Sequence, residues 1–341
     1  MPEELASLAS VAPAAGQGAA PASSASVRRD ITEMLRFARN SGFARELRSL
    51  QRPRPIRSLA AAACDWLLIA AAAAAAIAWG WAVVPFSLLV IGNRQRALGN
   101  LLHDASHRSL DANRRRSRVL ANLFFCWPLW VSMRIYRGEH NQHHKFLGDP
   151  RRDPDFIHDE TRLPRGWLSL WLDQIRSPQM LRGALLGHLG RMDGASLAGV
   201  ISWWSAVLAA IALASSPAHA AAFFALWVTA RVLVFHPITA FREISDHVGL
   251  TPGGLIGFSR NHPFQSVLGQ LFHPHHNGYH LLHHLTPRMP FHALPRAHAL
   301  LMRWPPYAAG EHCGSYFSGA GSAVQSWVCR YATRAAQPSA H

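Results

Sequence analysis

Histidine placement is what this chain offers most plainly to chemistry. Of its 21 histidines, eight fall in three tight patterns: His103 and His107 make HxxxH, His140, His143 and His144 make HxxHH, and His280, His283 and His284 make HxxHH again. Residues three and four apart share one helix face, so each pattern can aim two or three imidazoles at one point. That is the spacing metal coordination requires. One HxxxH alone is often just a solvated helix edge, but three such patterns, each beside an apolar run, point together to metal.

The number of ligands bears on which metal. A zinc site takes three or four ligands, usually with thiolates when structural, so eight imidazoles suit two ions of higher coordination number. Neutral imidazole accepts iron, copper, zinc or nickel, and the element stays open on ligand type. The Glu-x-x-His pairs of soluble di-iron bundles are absent from the three patterns. A zinc protease would carry HExxH, but Asp104, one methylene shorter, stands in the glutamate's place, and protease chemistry leaves the second and third patterns unused. The cysteines Cys64, Cys126, Cys313 and Cys329 include no CxxC pair and suggest neither a disulfide framework nor a metal cluster.

The elements that position these histidines read as membrane-spanning. Apolar residues form 49% of the chain and gather in long runs, which favours a membrane protein over a soluble one. The run 59–79 holds a single charge, Asp65, and at about 1.5 Å per residue is about 31 Å long, enough to cross the hydrocarbon core. A second span is expected over 81–102, with Arg94 and Arg96 in its last third, from where their stems can snorkel to the headgroups. Two more spans are expected over 197–214 and 218–240, joined by Ser215, Ser216 and Pro217. Between the pairs, 119–133 is short and interrupted by Pro128, so it is read as interfacial or re-entrant. Residues 1–26 read as a disordered tail, 27–58 as a basic cytoplasmic or interfacial segment, 59–305 as the membrane domain, and 306–341 as a C-terminal cytoplasmic tail.

The formal charge of +15 rests almost wholly on arginine, with Lys145 the only lysine. These cations flank apolar runs and form no aromatic-interleaved stripe, which argues against nucleic acid. Nine arginines lie in 28–57 and more in 108–191, whereas the hairpin tips near Gly80 and Ser215 have none. The positive-inside rule therefore puts both tips outside and the termini on the cytoplasmic side. Parity tests this layout, because a shared metal site needs every ligand at one face. With 119–133 not crossing, four spans achieve that: an all-α integral membrane fold of two hairpins, an interfacial element and a cytoplasmic helical cap.

The three boxes, in this order and at these spacings, resemble the membrane fatty acid desaturase and hydroxylase superfamily. The likeness covers roughly residues 60–305 and includes the stretch 148–155, the run 277–287 and the segment 294–298. Bacterial members and carotenoid ketolases have similar segments. The resemblance implies two non-haem iron ions with O2 as co-substrate, and a ninth ligand, His247, from the end of the last span. It further implies that one iron takes His103, His107, His144 and His284, and the other His140, His143, His247, His280 and His283. Two departures stand out. The first box is one residue shorter than in acyl-CoA desaturases, and Glu243 stands where they have an asparagine that reaches a metal through water.

Glu243 shares a helix face with His247, so it could ligate, lower the site's charge or take a proton; alternatively it pairs with Arg242. Asp104 is the other carboxylate expected to serve the chemistry directly. Asp104, Asp149, Asp153, Asp155 and Asp246 are candidates to orient ligand imidazoles, although Asp-Pro pairs also favour turns. His273, His275 and His276 crowd the third box, but Pro274 breaks helical register, so they are read as surrounding rather than binding the metals, as are His292 and His298.

The activity these expectations describe is O2-dependent oxidation of an unactivated C–H bond in a lipid acyl chain. Loss of a second hydrogen gives an alkene, and return of a hydroxyl gives an alcohol. A double bond is the favoured outcome, with carotenoid-type ketolation or fatty acid hydroxylation as the alternative. No electron-carrying module is legible in the chain, so an external donor, ferredoxin-like, is expected at the cytoplasmic face of a bacterial inner membrane. Basic segments 108–118 and 134–152 would attract an acidic donor, and would attract anionic lipid equally. A metal transporter is disfavoured, because its ligands belong within the bilayer rather than at one face.

Overall fold

The long apolar runs become the long helices. The computed structural model of the protein describes residues 24–157, 166–264 and 266–328. Helix α1 (Ser24–Asn40) and α2 (Ala44–Leu50) lead into α3 (Pro55–Trp79) and α4 (Val84–Ser106), which pack side by side as a hairpin. Short α5 (Arg114–Ala121) runs into a π turn at Asn122–Cys126, and α6 (Met133–Phe146) follows. Helices α7 (Trp167–Arg176) and α8 (Pro178–Leu181) precede a second hairpin of α9 (Gly194–Ala214) and α10 (Pro217–Ala230). A π turn at Arg231–Phe235 carries α10 into α11 (His236–His247). The remainder is short: α12 (Leu255–Phe258), α13 (Val267–Phe272), α14 (His280–Leu285), α15 (Leu294–Leu301) and α16 (Pro305–Ala308), with strands β1 (Arg260–Asn261) and β2 (Glu311–His312) paired in parallel.

Among the described residues, three helical stretches are long and apolar enough to cross a membrane: Pro55–Ala82, Gly194–Ala214 and Pro217–His247. The expected span 81–102 is not one of them. At 23 residues α4 is long enough, but Asn93, Gln95, Arg96 and Asn100 break its apolarity, and all four are buried in protein. Polar groups on a membrane helix turn inward in this way, where protein rather than lipid meets them. Neither arginine of α4 snorkels: Arg94 Nη1 lies 3.0 Å from Asp65 Oδ1, and Arg96 donates to Asn100 Oδ1 at 2.6 Å. Asp65, the lone charge of the run 59–79, is thus buried against α4, and it also meets His275 Nε2 at 2.7 Å.

Close helix contact depends on Gly92 of α4, where a Cβ would lie 2.5 Å from Val234 Cβ. Buried Arg231, at the π turn, donates to the carbonyls of Leu129 and Leu185, both at 3.1 Å, and so ties the last long helix to its neighbours. Large apolar side chains remain exposed on the outer faces, among them Leu67, Trp79, Trp81, Phe86 and Leu213. That is the surface a lipid environment solvates, with Trp79 and Trp81 at a hairpin tip where aromatic side chains favour the interface.

Several boundaries differ from the sequence reading. Of the tail expected over 1–26, residues up to 23 lie outside the described residues, and Ser24 already begins α1. Helix α1 packs its apolar stripe, including Val27, Met34 and Ala38, into the core beside α12 and α14. The stretch 119–133 is no single helix: it breaks at the π turn, and Trp130 adopts φ +60° before α6 starts. Residues 306–328, expected as part of a tail, join the core, with Tyr316 and Trp327 buried beside Phe241. Residues 329–341 lie outside the described residues.

Candidate metal centre

Four helix ends bring the histidine boxes together. His103 sits in the last turn of α4 and His107 caps it; His140, His143 and His144 line one face of α6; His247 ends α11; and His280, His283 and His284 make up half of α14. All nine imidazoles therefore meet beyond the ends of the long helices.

They divide into two groups. His103, His107, His140 and His283 place their ligand atoms within 4.8 Å of one another, and so do His143, His247, His280 and His284. His144 joins the first group, its Nε2 lying 2.9 Å from His283 Nε2 and 3.1 Å from His140 Nε2. This differs from the division the resemblance implies: His140 and His283 stand with His103, and His284 stands with His143. The reason is helical geometry. His140 and His144 are one turn apart on α6 and face the first group together, whereas His143 is rotated toward α11.

The donor set fits metal better than hydrogen bonding. His283 Nε2 is also 3.0 Å from His103 Nε2, and His140 Nε2 is 2.8 Å from His107 Nε2. A ring nitrogen carries one proton or one lone pair, so it cannot properly serve two such contacts as His140, His144 and His283 each would. Imidazole nitrogens about 2.1 Å from one ion and at right angles sit about 3 Å apart, which these separations match. In the second group His280 Nε2 lies 2.8 Å from His247 Nε2 and 2.9 Å from His284 Nε2.

Neighbours set the tautomers. His143 Nδ1–H donates to Asp153 Oδ1 at 2.8 Å, and His247 Nδ1–H donates to the Phe258 carbonyl at 2.6 Å, leaving both Nε2 lone pairs free. Asp155 and Asp246 stand further off, 3.7 Å from His143 and 3.5 Å from His280 Nδ1. Burial and the neighbouring imidazoles hold His140, His144, His280, His283 and His284 well below the ordinary histidine range, so they are neutral and able to ligate. For His143 burial acts the same way, but Asp153 and Asp155 outweigh it and push the group up to about 9. Carboxylates that favour positive charge on this ring also favour a cation bound to it.

The carboxylates singled out from sequence lie near the centre in different ways. Glu243 is held by Arg242, Oε1 to Nη1 at 2.6 Å. Asp104 is 3.9 Å from His103 Nδ1 and instead accepts from the Phe291 backbone N–H at 2.8 Å. Asp149 accepts from the backbone of Arg151 and Arg152, which is its turn-forming role. His273 and His275 bind Tyr316 and Asp65 rather than either group, and His298 meets the Tyr307 hydroxyl. Sequence reasoning missed Phe258, because a backbone carbonyl as partner leaves no residue-type signal.

With this geometry, a match to the fatty acid desaturase family model over residues 79–319 is decisive. The chain belongs to the fatty acid desaturase family and is an oxidoreductase. It is 29% identical to the dihydrorhizobitoxine desaturase of Bradyrhizobium elkanii, over 78% of this chain and 82% of that one. It is also 25% identical to the zeaxanthin 4-ketolase of Chlamydomonas reinhardtii, over 64% of this chain and 45% of that protein's length.

Proposed function

We propose that the protein is a membrane-bound, O2-dependent di-iron desaturase that introduces a double bond into a lipid acyl chain. The observation that carries this is the division of nine buried or half-buried imidazoles into two adjacent groups with mutual nitrogen separations near 3 Å. His103, His107, His140, His144 and His283 would hold one iron, and His143, His247, His280 and His284 the other. What two iron ions supply when bound is oxidation by O2 strong enough to remove hydrogen from an unactivated methylene.

The chain's own residues position that chemistry. Asp153 and the Phe258 carbonyl fix ring orientation in the second group. Asp104 holds the backbone at Phe291, just past the third box, and Glu243 acts through Arg242, so both are positioning residues. Phe258 stacks on His247, and Leu281, Leu282 and Leu285 anchor the opposite face of α14 in the core.

Removing two hydrogens while reducing O2 to two waters requires two further electrons and two protons, so a separate donor must dock. Exposed Arg108, Arg114, Arg115, Arg118, Arg134, Arg151 and Arg152 lie on segments leading into or out of the first two boxes, and suit an acidic, ferredoxin-like protein. In our reading α4 is the fourth span, its polar flank met by α3, α10 and the 270–276 segment, with the centre and termini on the cytoplasmic side of a bacterial inner membrane.

A second reading, ketolation or hydroxylation on the same centre, draws support from the likeness to a ketolase. Desaturation is favoured because the desaturase relative is matched over more of both chains. The test is to express the chain in a host lacking it, count iron per chain and profile the lipids. Two irons with a new acyl double bond is the expected result, an oxygenated polyene supports the second reading, and no oxidised product refutes both.

A further inference from the structure

Asp246, His262 and His273 form a third gathering that uses none of the nine histidines, although Asp246 Oδ2 also lies 3.5 Å from His280 Nδ1. All three are buried, and their ligand atoms lie within 4.8 Å of one another. Among the described residues, no hydrogen-bond partner meets either ring nitrogen of His262, Nε2 of His273, or Oδ1 of Asp246. Buried polar atoms are almost always partnered, and one shared partner could take a ring nitrogen of His262, Nε2 of His273 and Oδ1 of Asp246 together.

Distance separates the two simplest candidates, a water and a metal ion. His273 Nε2 and Asp246 Oδ1 are 3.8 Å apart, too far for a direct hydrogen bond. A water about 2.8 Å from each would hold them about 4.6 Å apart at its tetrahedral angle. An ion about 2.1 Å from each holds its donors about 3.0–4.2 Å apart, depending on the angle between them. The observed separation falls in the second range. The His262 and His273 rings lie near parallel, 16° apart, with centroids 4.7 Å apart.

The surroundings are those of a ligand site. His273 Nδ1 lies 2.6 Å from the Tyr316 hydroxyl, which occupies that ring nitrogen and leaves Nε2 to the site. Arg242 occupies the other oxygen of Asp246, with Nη2 2.8 Å from Oδ2, and its Nη1 is balanced by Glu243, so Oδ1 is left to the site. Gly278 permits the approach, because a Cβ there would lie 3.0 Å from His262 Cβ and 3.4 Å from His273 Cβ.

We propose that Asp246, His262 and His273 hold a third metal ion, a divalent first-row cation bound by two neutral imidazoles and one carboxylate. Zinc and iron(II) both accept that donor set. The ion joins the end of α11 to the residue after β1 and to the loop entering α14, and so braces the elements that carry His247 and His280. The inference rests on a different set of ligands from the proposed catalytic centre.

The test uses the full-length protein purified in detergent with its own metal content, read as ions per chain by plasma mass spectrometry. His262→Ala and His273→Ala are each expected to hold one ion fewer than the unmodified protein, with the ions of the two histidine groups retained. Equal content in the unmodified protein and both variants overturns the proposal and leaves the cluster to water. Anomalous diffraction from crystals of the unmodified protein, which needs no variant, gives an independent reading. A peak between His262, His273 and Asp246 supports the third site, and no peak there while peaks stand at the histidine groups overturns it. Failure of the di-iron reading would instead appear as missing peaks at the histidine groups.

Discussion

Asp153→Ala tests whether a single carboxylate sets the metal affinity of the second group. Asp153 accepts three hydrogen bonds: from His143 Nδ1 at 2.8 Å, from the Gly148 N–H at 2.9 Å and from the Asp155 N–H at 3.0 Å. Only the first concerns metal. Losing the partner of a ligating imidazole typically lowers metal affinity about 10–100-fold, equivalent to about 1.4–2.7 kcal/mol. The other two shape the 148–155 loop, and a buried donor left unpaired costs about 1–3 kcal/mol of stability. Asp153→Asn should fall between, because its amide can accept from His143 only by turning its NH2 toward the Gly148 N–H. Chelator competition, following release of each metal ion, measures the first effect, and thermal unfolding in detergent measures the second. If the variant unfolds more easily yet binds both ions as tightly as the unmodified protein, Asp153 serves the loop alone and the orienting argument fails.

The grouping of ligands gives a sharper contrast: His283→Ala should weaken the ion shared with His103, and His284→Ala the ion shared with His247, as read by site-resolved metal spectroscopy. The reverse pattern would restore the division implied by the family resemblance. Glu243→Gln should keep both ions and lower turnover, because Arg242 loses one of its two carboxylates; loss of an ion, or unchanged turnover, would refute that account. Asp65→Ala leaves the half-buried Arg94 and His275 without their shared buried carboxylate and should cost at most about 3–5 kcal/mol, seen as a lower unfolding temperature, with Asp65→Asn less damaging. His298 is lowered to about 4, chiefly by burial and then by His312. Its folded value lies below the ordinary one of about 6.5, so its contribution to stability is complete above that pH and falls as pH drops toward 4. His298→Gln should flatten that part of the stability profile, and an unaltered profile would exclude this group.

Much of the centre was legible without coordinates, because ligand spacing on a helix is a local property. His140, His143 and His144 had to share a helix face whatever the rest of the chain did, and the same holds for His280, His283 and His284. The apolar runs 59–79 and 197–214 were equally local, since length and composition decide them. Less local features were misread. The polar residues of α4 look like flaws in a span when taken in order, and it is mostly the packing of α3, α10 and the 270–276 segment that supplies their partners.

What the sequence determined by itself was the inventory: three boxes, the helices they sit on and the apolar lengths that carry those helices. Tertiary structure decided how that inventory is shared out. Whether His140 meets His103 or His247 depends on how α6 is rotated between α4 and α11, a long-range packing outcome that no spacing encodes. The same packing brought His262, a lone histidine in the sequence, against His273 and Asp246 from two other segments. Spacing along a chain fixes which side chains share a face, and only packing fixes what that face meets.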